Sequence, residues 1–397
     1  MSFSRDSPVL PKLQFADYYE DGDFRKGISE SDSRSQTVIY RVPDKKWWIK
    51  ITVEGAIPCS SCDIRPQHVK SFRERCNKLQ DFIKTIDFQS LALLDDTVTE
   101  IILNEDTRNV DFAKLCLDPK VSNPPPSLIG NMRYLIREDP MRVRYPPATQ
   151  FPSLRPIRSA DLIKEVRMTP GVFRVRHKFE NKQYVLKEVK VPGYIPQDTN
   201  IILQELANLE QFKGTRGIAQ PAGISVFTSP YATCSEIRQP MVINGILVEF
   251  YRGGTLAHVL RERSFAHLPW QNWALQIGIS LDNFHRAGKT HMDLKTANIV
   301  LGECGNAIII DISGIGGTTH GWQAPETAYE LSPLGLPFEA RRLNDFWAFG
   351  KVVQAIASSI EDCPFKRTLD RVSGHLMDDV ATRWSLSEAL PQLSISD

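Results

Sequence analysis

The apolar pattern of this chain changes period several times, and each change predicts an element. Thr37-Val38-Ile39-Tyr40-Arg41-Val42 and Lys46-Trp47-Trp48-Ile49-Lys50-Ile51-Thr52-Val53 are β-branched and aromatic runs. Pro43-Asp44 between them supplies a turn, so a hairpin is expected. Over residues 68–85, Val69, Phe72, Cys76, Leu79 and Ile83 recur at three- and four-residue steps, the stripe of a one-sided helix. The stripe is too short to favour a coiled-coil seam over simple packing. Apolar residues from Leu91 to Leu103 continue the fold. Helical spacing returns over Ile201–Leu209. Tyr184–Lys187, Ile246–Tyr251, Ile299–Leu301 and Ala307–Ile310 read as strands. The last two form a hairpin, because Gly302-Glu303-Cys304-Gly305-Asn306 carries turn chemistry.

Two stretches interrupt this pattern. Residues 1–36 are polar, charged and turn-rich and are expected to be largely flexible. Residues from Lys120 to Pro156 hold Pro124-Pro125-Pro126, Pro140, Pro146-Pro147 and Pro152. They read as a linker with one short helix around Met132–Leu135, packed partly on the larger domain after it. The expected organisation is a flexible N-terminus (1–36), a small α+β region (37–118), a proline-rich linker (119–157) and a larger domain (158–397). No motif names the role of residues 37–118, and no internal repeat is evident.

Composition narrows the class. The 397 residues suffice for one large or two modest domains. The net charge of +1 gives no strong attraction to nucleic acid or anionic membrane, so neither is expected as a partner. Met1-Ser2-Phe3-Ser4-Arg5-Asp6 lacks the apolar core of a signal, and no run reaches membrane-spanning length. Seven scattered cysteines suit a reducing compartment, so cytoplasm or nucleus is expected. Cys59-Ser60-Ser61-Cys62, near His68 and Cys76, has half the spacing of a zinc site. A matching second pair is missing, and free thiols are expected. Trp47 and Trp48 are expected as one core and one rim side chain, not a stacking platform.

The chemistry concentrates in His291-Met292-Asp293-Leu294-Lys295-Thr296-Ala297-Asn298, with Asp311 just beyond the predicted hairpin. This segment resembles a protein-kinase catalytic loop. Phosphoryl transfer from ATP needs one carboxylate to take the substrate hydroxyl's proton, and an amide and a second carboxylate to hold magnesium on the phosphates. Asp293 fits the first role, and Asn298 and Asp311 the second. A lone His-x-Asp is weak evidence, but further parts occur in order. Lys187 ends the Tyr184–Lys187 strand, and Glu205 lies on the predicted helix after it, placed for the lysine–glutamate pair that orients the lysine on phosphates. Ile246–Tyr251 resembles a kinase hinge, with Val248 as gatekeeper and Glu249 to Tyr251 offering backbone groups to adenine. Ala324-Pro325-Glu326 resembles the end of an activation segment, and Asp345-Phe346-Trp347-Ala348-Phe349-Gly350 the start of the large C-lobe helix. The resemblance implies a structural Glu326–Arg383 salt bridge and a hydrogen bond from Thr319 to the catalytic aspartate. Lys295 favours Ser/Thr over Tyr specificity.

The resemblance is to the eukaryotic protein-kinase superfamily over about residues 158–397. Asp311-Ile312-Ser313-Gly314-Ile315-Gly316-Gly317, His-Met-Asp-Leu-Lys and Trp322-x-Ala-Pro-Glu are similar to divergent fungal Ser/Thr kinase-like proteins. The implied fold class is α+β: a two-lobed kinase fold with a five-stranded N-lobe, a helical C-lobe and an N-terminal α+β extension. The implied function is ATP- and Mg2+-dependent phosphoryl transfer to serine or threonine of a protein substrate. Asp293 would be the base and Lys295 and Lys187 would neutralise phosphate charge. Docking of residues 37–118 on the kinase region within the same chain is also expected.

Several positions depart from the pattern. In Glu165-Val166-Arg167-Met168-Thr169-Pro170-Gly171-Val172-Phe173-Arg174-Val175 only one glycine remains of the phosphate-covering loop. Thr169 and Arg174 take the other two glycine places, Gly171 permits one tight turn, and Phe173 or Val175 is expected to cover adenine. Pro170 removes an amide donor, which should weaken ATP binding. Ser313 stands at the glycine place of Asp-Phe-Gly. Met292 replaces an arginine that could bind an activation-loop phosphate. The segment from Asp311 to Glu326 is also too short for a long, disordered loop awaiting phosphorylation. Activity is therefore expected without control by activation-loop phosphorylation. The C-lobe is trimmed, because the span from Asp345 to Arg383 leaves room only for short helices. The rival is a pseudokinase scaffold or regulator, supported by the degraded loop and opposed by the presence of Lys187, Asp293, Asn298 and Asp311. An aminoglycoside- or choline-type small-molecule kinase is opposed by Ala324-Pro325-Glu326, Asp345 and Arg383.

Overall fold

The computed structural model describes residues 12–21, 33–54, 71–104, 133–234, 239–263 and 265–394. The Cys59–Cys62 spacing with His68 lies outside them. The chain divides into two units, one of residues 1–142 with 228–240, the other of residues 143–227 with 241–397.

The first unit holds β1 (Lys12–Asp21), β2 (Ser33–Val42), β3 (Lys45–Glu54), α1 (Phe72–Ile83), β4 (Val98–Asn104) and β5 (Arg133–Glu138), with sheet order β1-β2-β3-β4-β5. The expected hairpin is present as β2–β3, with Pro43-Asp44 outside both strands. β3 and β4 are parallel, and α1 lies in the connection between them. Ser71 caps α1: its hydroxyl accepts from Glu74 N at 3.3 Å, and Glu74 Oε2 accepts from Ser71 N at 2.7 Å. This capping box stabilises the start of the helix. Leu79 and Ile83 are wholly buried on Val38, Ile49, Ile51, Val53 and Ile101, whereas Phe72 is exposed.

Two expectations change. Part of the stretch expected to be flexible is β1, because Leu13, Phe15 and Tyr18 pack on the core beside β2. The segment expected as a short helix is β5, whose Tyr134 and Ile136 join the same core. The proline-rich stretch is thus not purely a linker.

In the second unit, β6 (Pro156–Arg158), β7 (Leu162–Thr169), β8 (Val172–His177), β9 (Gln183–Glu188), α2 (Pro196–Gln211), β10 (Pro221–Thr228) and β11 (Met241–Glu249) make the sheet-rich part. Its sheet has six strands, in order β6-β10-β11-β9-β8-β7, where five were expected. The extra strand is β6, parallel to β10. Gly223 lets it approach: a Cβ there would sit 2.3 Å from Arg155 O, the oxygen that accepts from Ile224 N at 2.9 Å.

The helical part follows as α3 (Leu256–Glu262), α4 (Trp273–Arg286), the hairpin β12 (Ile299–Leu301) and β13 (Ala307–Ile309), α5 (Phe338–Ala357), α6 (Pro364–Leu376) and α7 (Leu386–Leu393). One core runs from Ile202, Leu206 and Leu209 of α2 through Ile246 and Val248 to Trp273, Phe284, Leu294 and Phe349. Among the described residues, no helix is long and apolar enough to cross a membrane.

Candidate active site

The loop leading to β12 is held from α5. Asp345 is wholly buried, and its two oxygens accept from His291 N and Met292 N, each at 2.8 Å. His285 Nε2 adds a contact of 3.0 Å to the same carboxylate. These bonds and the burial of its side chain hold Met292 at φ +64, a left-handed conformation uncommon for a residue other than glycine. His291 Nδ1 accepts from Asp293 N at 3.3 Å, so its Nε2–H donates to Ile310 O at 2.9 Å. The imidazole thereby ties the loop to the residue preceding Asp311.

This frame fixes a compact set of groups around Asp293. Lys295 Nζ lies 2.7 Å from Asp293 Oδ2 and 2.6 Å from Thr319 Oγ1, while Thr319 donates to Asp293 Oδ1 at 2.6 Å. Asn298 Nδ2 donates to Asp293 O at 2.9 Å and to Oδ2 at 3.1 Å. With its nitrogen used this way, the amide presents Oδ1 as its remaining polar end.

Lys187 on β9 is ion-paired with both Glu205 of α2 and Asp311. Burial opposes the lysine's charge, but the carboxylates of Asp311 and Glu205 outweigh it and hold its pKa above the ordinary value. The Lys187 charge draws the Asp311 pKa below the usual range. Glu205 is buried on its helix, and burial pushes its pKa upward despite Lys187. Asp311 adopts φ +60, and its side chain keeps 45% of its surface accessible. Ile312 behind it is wholly buried. Asn208, one turn beyond Glu205 on α2, donates to Ile312 O at 2.5 Å and Ser313 O at 3.4 Å, fixing this turn from the helix. Sequence reading passed over Asn208; its polar side chain beside Leu209 on the buried stripe was the available signal.

A cavity of about 350 Å³ opens on these groups. Gly171, Lys187, Glu205, Asp293 and Asp311 line it, together with Val172, Val191, Ile201, Ile202 and His291, whereas Lys295 and Asn298 do not. The β7–β8 connection is the two-residue turn Pro170-Gly171, with Gly171 at φ +76 and Thr169 paired to Val172. It is a tight hairpin rather than a broad phosphate flap.

Val175 requires a correction. Phe173 or Val175 was expected to cover adenine, yet Val175 is wholly buried with Ile157, Tyr184, Leu186 and Leu247, and Phe173 packs on the same cluster, on the sheet face opposite Lys187. Val248, Glu249 and Tyr251 are not among the lining residues of the cavity. Val248 belongs to the main core, Glu249 N donates to Gln220 O at 3.1 Å, and the Tyr251 hydroxyl accepts from Gln220 N at 2.9 Å. Burial pushes the Tyr251 pKa up to about 12.

Glu326 and Arg383 meet as anticipated: Arg383 Nη2 lies 3.1 Å from Glu326 Oε2, and Nη1 bonds the other oxygen. The Arg383 side chain is 1% exposed and also donates to Leu343 O and Asp378 O. The contact clamps the end of the Asp311–Glu326 segment. Among the described residues, no cluster of three or more His, Cys, Asp or Glu could hold a metal. Asp311 and Asn298 carry oxygens of the hard type that Mg2+ takes beside water and phosphate.

The model of the protein kinase domain matches residues 169–379. Serine/threonine-protein kinase Nek4 of Mus musculus is 27% identical over 195 residues, which cover 46% of this chain and 23% of that protein. The match thus spans about a quarter of the length of that relative.

Proposed function

The chain belongs to the protein kinase family, and from that premise we propose that it transfers the γ-phosphoryl group of ATP to serine or threonine of a protein substrate. The observation that carries this reading is the arrangement of Lys295, Thr319 and Asn298 around Asp293, which lines one cavity with Lys187, Glu205 and Asp311. Asp293 Oδ1 and Oδ2 accept from groups on both sides, which orients the carboxylate to receive the substrate hydroxyl's proton. Lys295 beside it offsets negative charge on the transferring group. Lys187, held by Glu205, is placed to bind phosphate oxygens, and Asp311 and Asn298 supply oxygens for Mg2+. When bound, Mg2+ neutralises charge developing on the phosphates.

Control by a phosphate on the activation segment is not part of this reading. Met292 is buried and apolar where a phosphate-binding cation would be needed. A cytoplasmic or nuclear location and a role in cis for residues 37–118 belong to the same proposal. Connectivity supports the latter, since the first unit includes residues 228–240, which are bounded in sequence by the second.

The alternative is a pseudokinase scaffold or regulator with little turnover. One observation favours it: the Pro170-Gly171 turn offers few free amides to phosphate. The deciding experiment measures thermal stability with and without ATP and magnesium, beside Asp311→Asn, followed by phosphotransfer with Asp293→Asn as control. Mg2+-dependent stabilisation lost in Asp311→Asn, with transfer lost in Asp293→Asn, is the expected result. Stabilisation without transfer would establish the scaffold reading.

A further inference from the structure

Side chains along a strand alternate faces, so the register of the sheet says which residues look into the cleft. Lys187 faces it, meeting Glu205 and Asp311. Its neighbours across the sheet are Val172 on β8 and Ile246 on β11. Two residues along the same face, Val185 is flanked by Arg174 on β8 and Val248 on β11. This second row stands next to Glu249, Phe250 and Tyr251, where the chain leaves β11. A nucleotide with phosphates at Lys187 and Asp311 and its base against the Glu249–Tyr251 backbone would therefore place the base under Arg174.

That space holds the Arg174 side chain itself. Its guanidinium lies over the Phe250 ring, 5.5 Å from the centroid, and its Nε is 3.3 Å from Glu165 Oε2. Glu165 is in turn fixed by Arg176 at 2.7 Å and Gln183 at 2.8 Å. The cavity beside Lys187 is lined by Gly171, Val172, Asp293 and Asp311, but not by Arg174, Val248, Glu249 or Phe250. The cavity opens at the phosphate end of the site, and the Arg174 side chain lies across the base end.

Resting on the kinase reading above, we infer that Arg174 is a gate on the base slot: bridging Glu165 and Phe250, it excludes the purine until the guanidinium is displaced. The site consequently recognises its nucleotide chiefly through the polyphosphate–magnesium head. Displacing a partly buried cation from an aromatic face and a carboxylate lowers purine nucleotide affinity about tenfold.

Isothermal titration of the full chain, Arg174→Val and Arg174→Met with magnesium–ATP and with magnesium–tripolyphosphate, which has no base, tests this. The methionine variant keeps side-chain length without charge and serves if the valine variant folds poorly. Wild type should bind the two ligands within about threefold of each other. The variants should gain about tenfold for ATP and nothing for tripolyphosphate. Wild type preferring ATP strongly, with weaker ATP binding in both variants, would overturn the gate and make Arg174 a stacking contact for the base. Tripolyphosphate binding to all three proteins with no gain for ATP would also overturn it, leaving the phosphoryl-transfer reading intact. Binding of neither ligand to any of the proteins would overturn that reading together with the gate.

Discussion

Lys187 and Asp311 lie 124 residues apart in sequence and form a direct ion pair. The same ammonium holds Glu205, so one buried cation compensates two carboxylates drawn from a helix and from the turn after β13. The lysine is thereby oriented on the cavity, and the charged form of Asp311 is secured by its partner.

Replacing Lys187 by Met should expose what that compensation does. Glu205 would remain buried beside Asp311 with no cation, at a cost of about 3 kcal/mol near pH 8. Burial already raises the Glu205 pKa, and removal of Lys187 raises it further. A raised carboxylate pKa favours the neutral form in the fold. Its contribution is thus fully present below the unfolded value of about 4.3 and is lost as pH rises through the folded value. Urea unfolding should show the variant's deficit clearly larger at pH 8 than at pH 5; an equal deficit would mean Glu205 does not depend on Lys187.

The Glu326–Arg383 bridge has the opposite pH sense. Burial works against the Glu326 charge, and the bonds from Arg383 override it, leaving the pKa below the ordinary value. The stabilisation is complete above the unfolded pKa of about 4.3 and fades as pH falls toward the folded value. Glu326→Ala leaves the buried Arg383 guanidinium with carbonyl partners alone, for a loss of about 3 kcal/mol at pH 7. Thermal melts of wild type and variant should converge below about pH 4.

Thr319 bridges Asp293 and Lys295. Thr319→Val keeps the shape and removes a hydroxyl bonded to two charged groups, an interaction of about 1.5–3 kcal/mol. Steady-state assay should find kcat reduced about tenfold or more with KM for ATP little changed. A change confined to KM would show that Thr319 serves binding and not the orientation of Asp293.

Trp48 offers a test in the first unit. Its indole N–H donates to Pro230 O at 2.8 Å, and its ring meets Tyr231 edge-on at 5.7 Å. Trp48→Ala should loosen residues 228–234, giving faster limited proteolysis there and a stability loss of about 3 kcal/mol, as for other large-to-small changes. Unchanged cleavage would mean that Lys46 N–Thr233 O and the mutual Asp96–Thr233 bonds suffice to hold the segment.

The sequence alone determined whatever depends on short covalent spacing. The run from His291 to Asn298, the β12–β13 hairpin and Asp311 follow one another without a break, so local backbone geometry brings them together wherever the loop sits. The Lys187–Glu205 pair joins a strand to a separate helix and the Glu326–Arg383 pair spans 57 residues, and both were legible only because several motifs resembling one family occurred in order. Tertiary structure alone decided which face each strand presents. Val175 and Arg174 are adjacent in sequence, yet one is core and the other hangs over the cleft, because a strand reverses face at every residue. It also decided that β1 joins β2 and β5 joins β4 at the two margins of one sheet, since strand pairing is set by neighbours that a short apolar run does not name. The reach of Asp345 to two loop amides and of Asn208 to the Ile312 carbonyl is set by helix placement, which spacing along the chain does not encode.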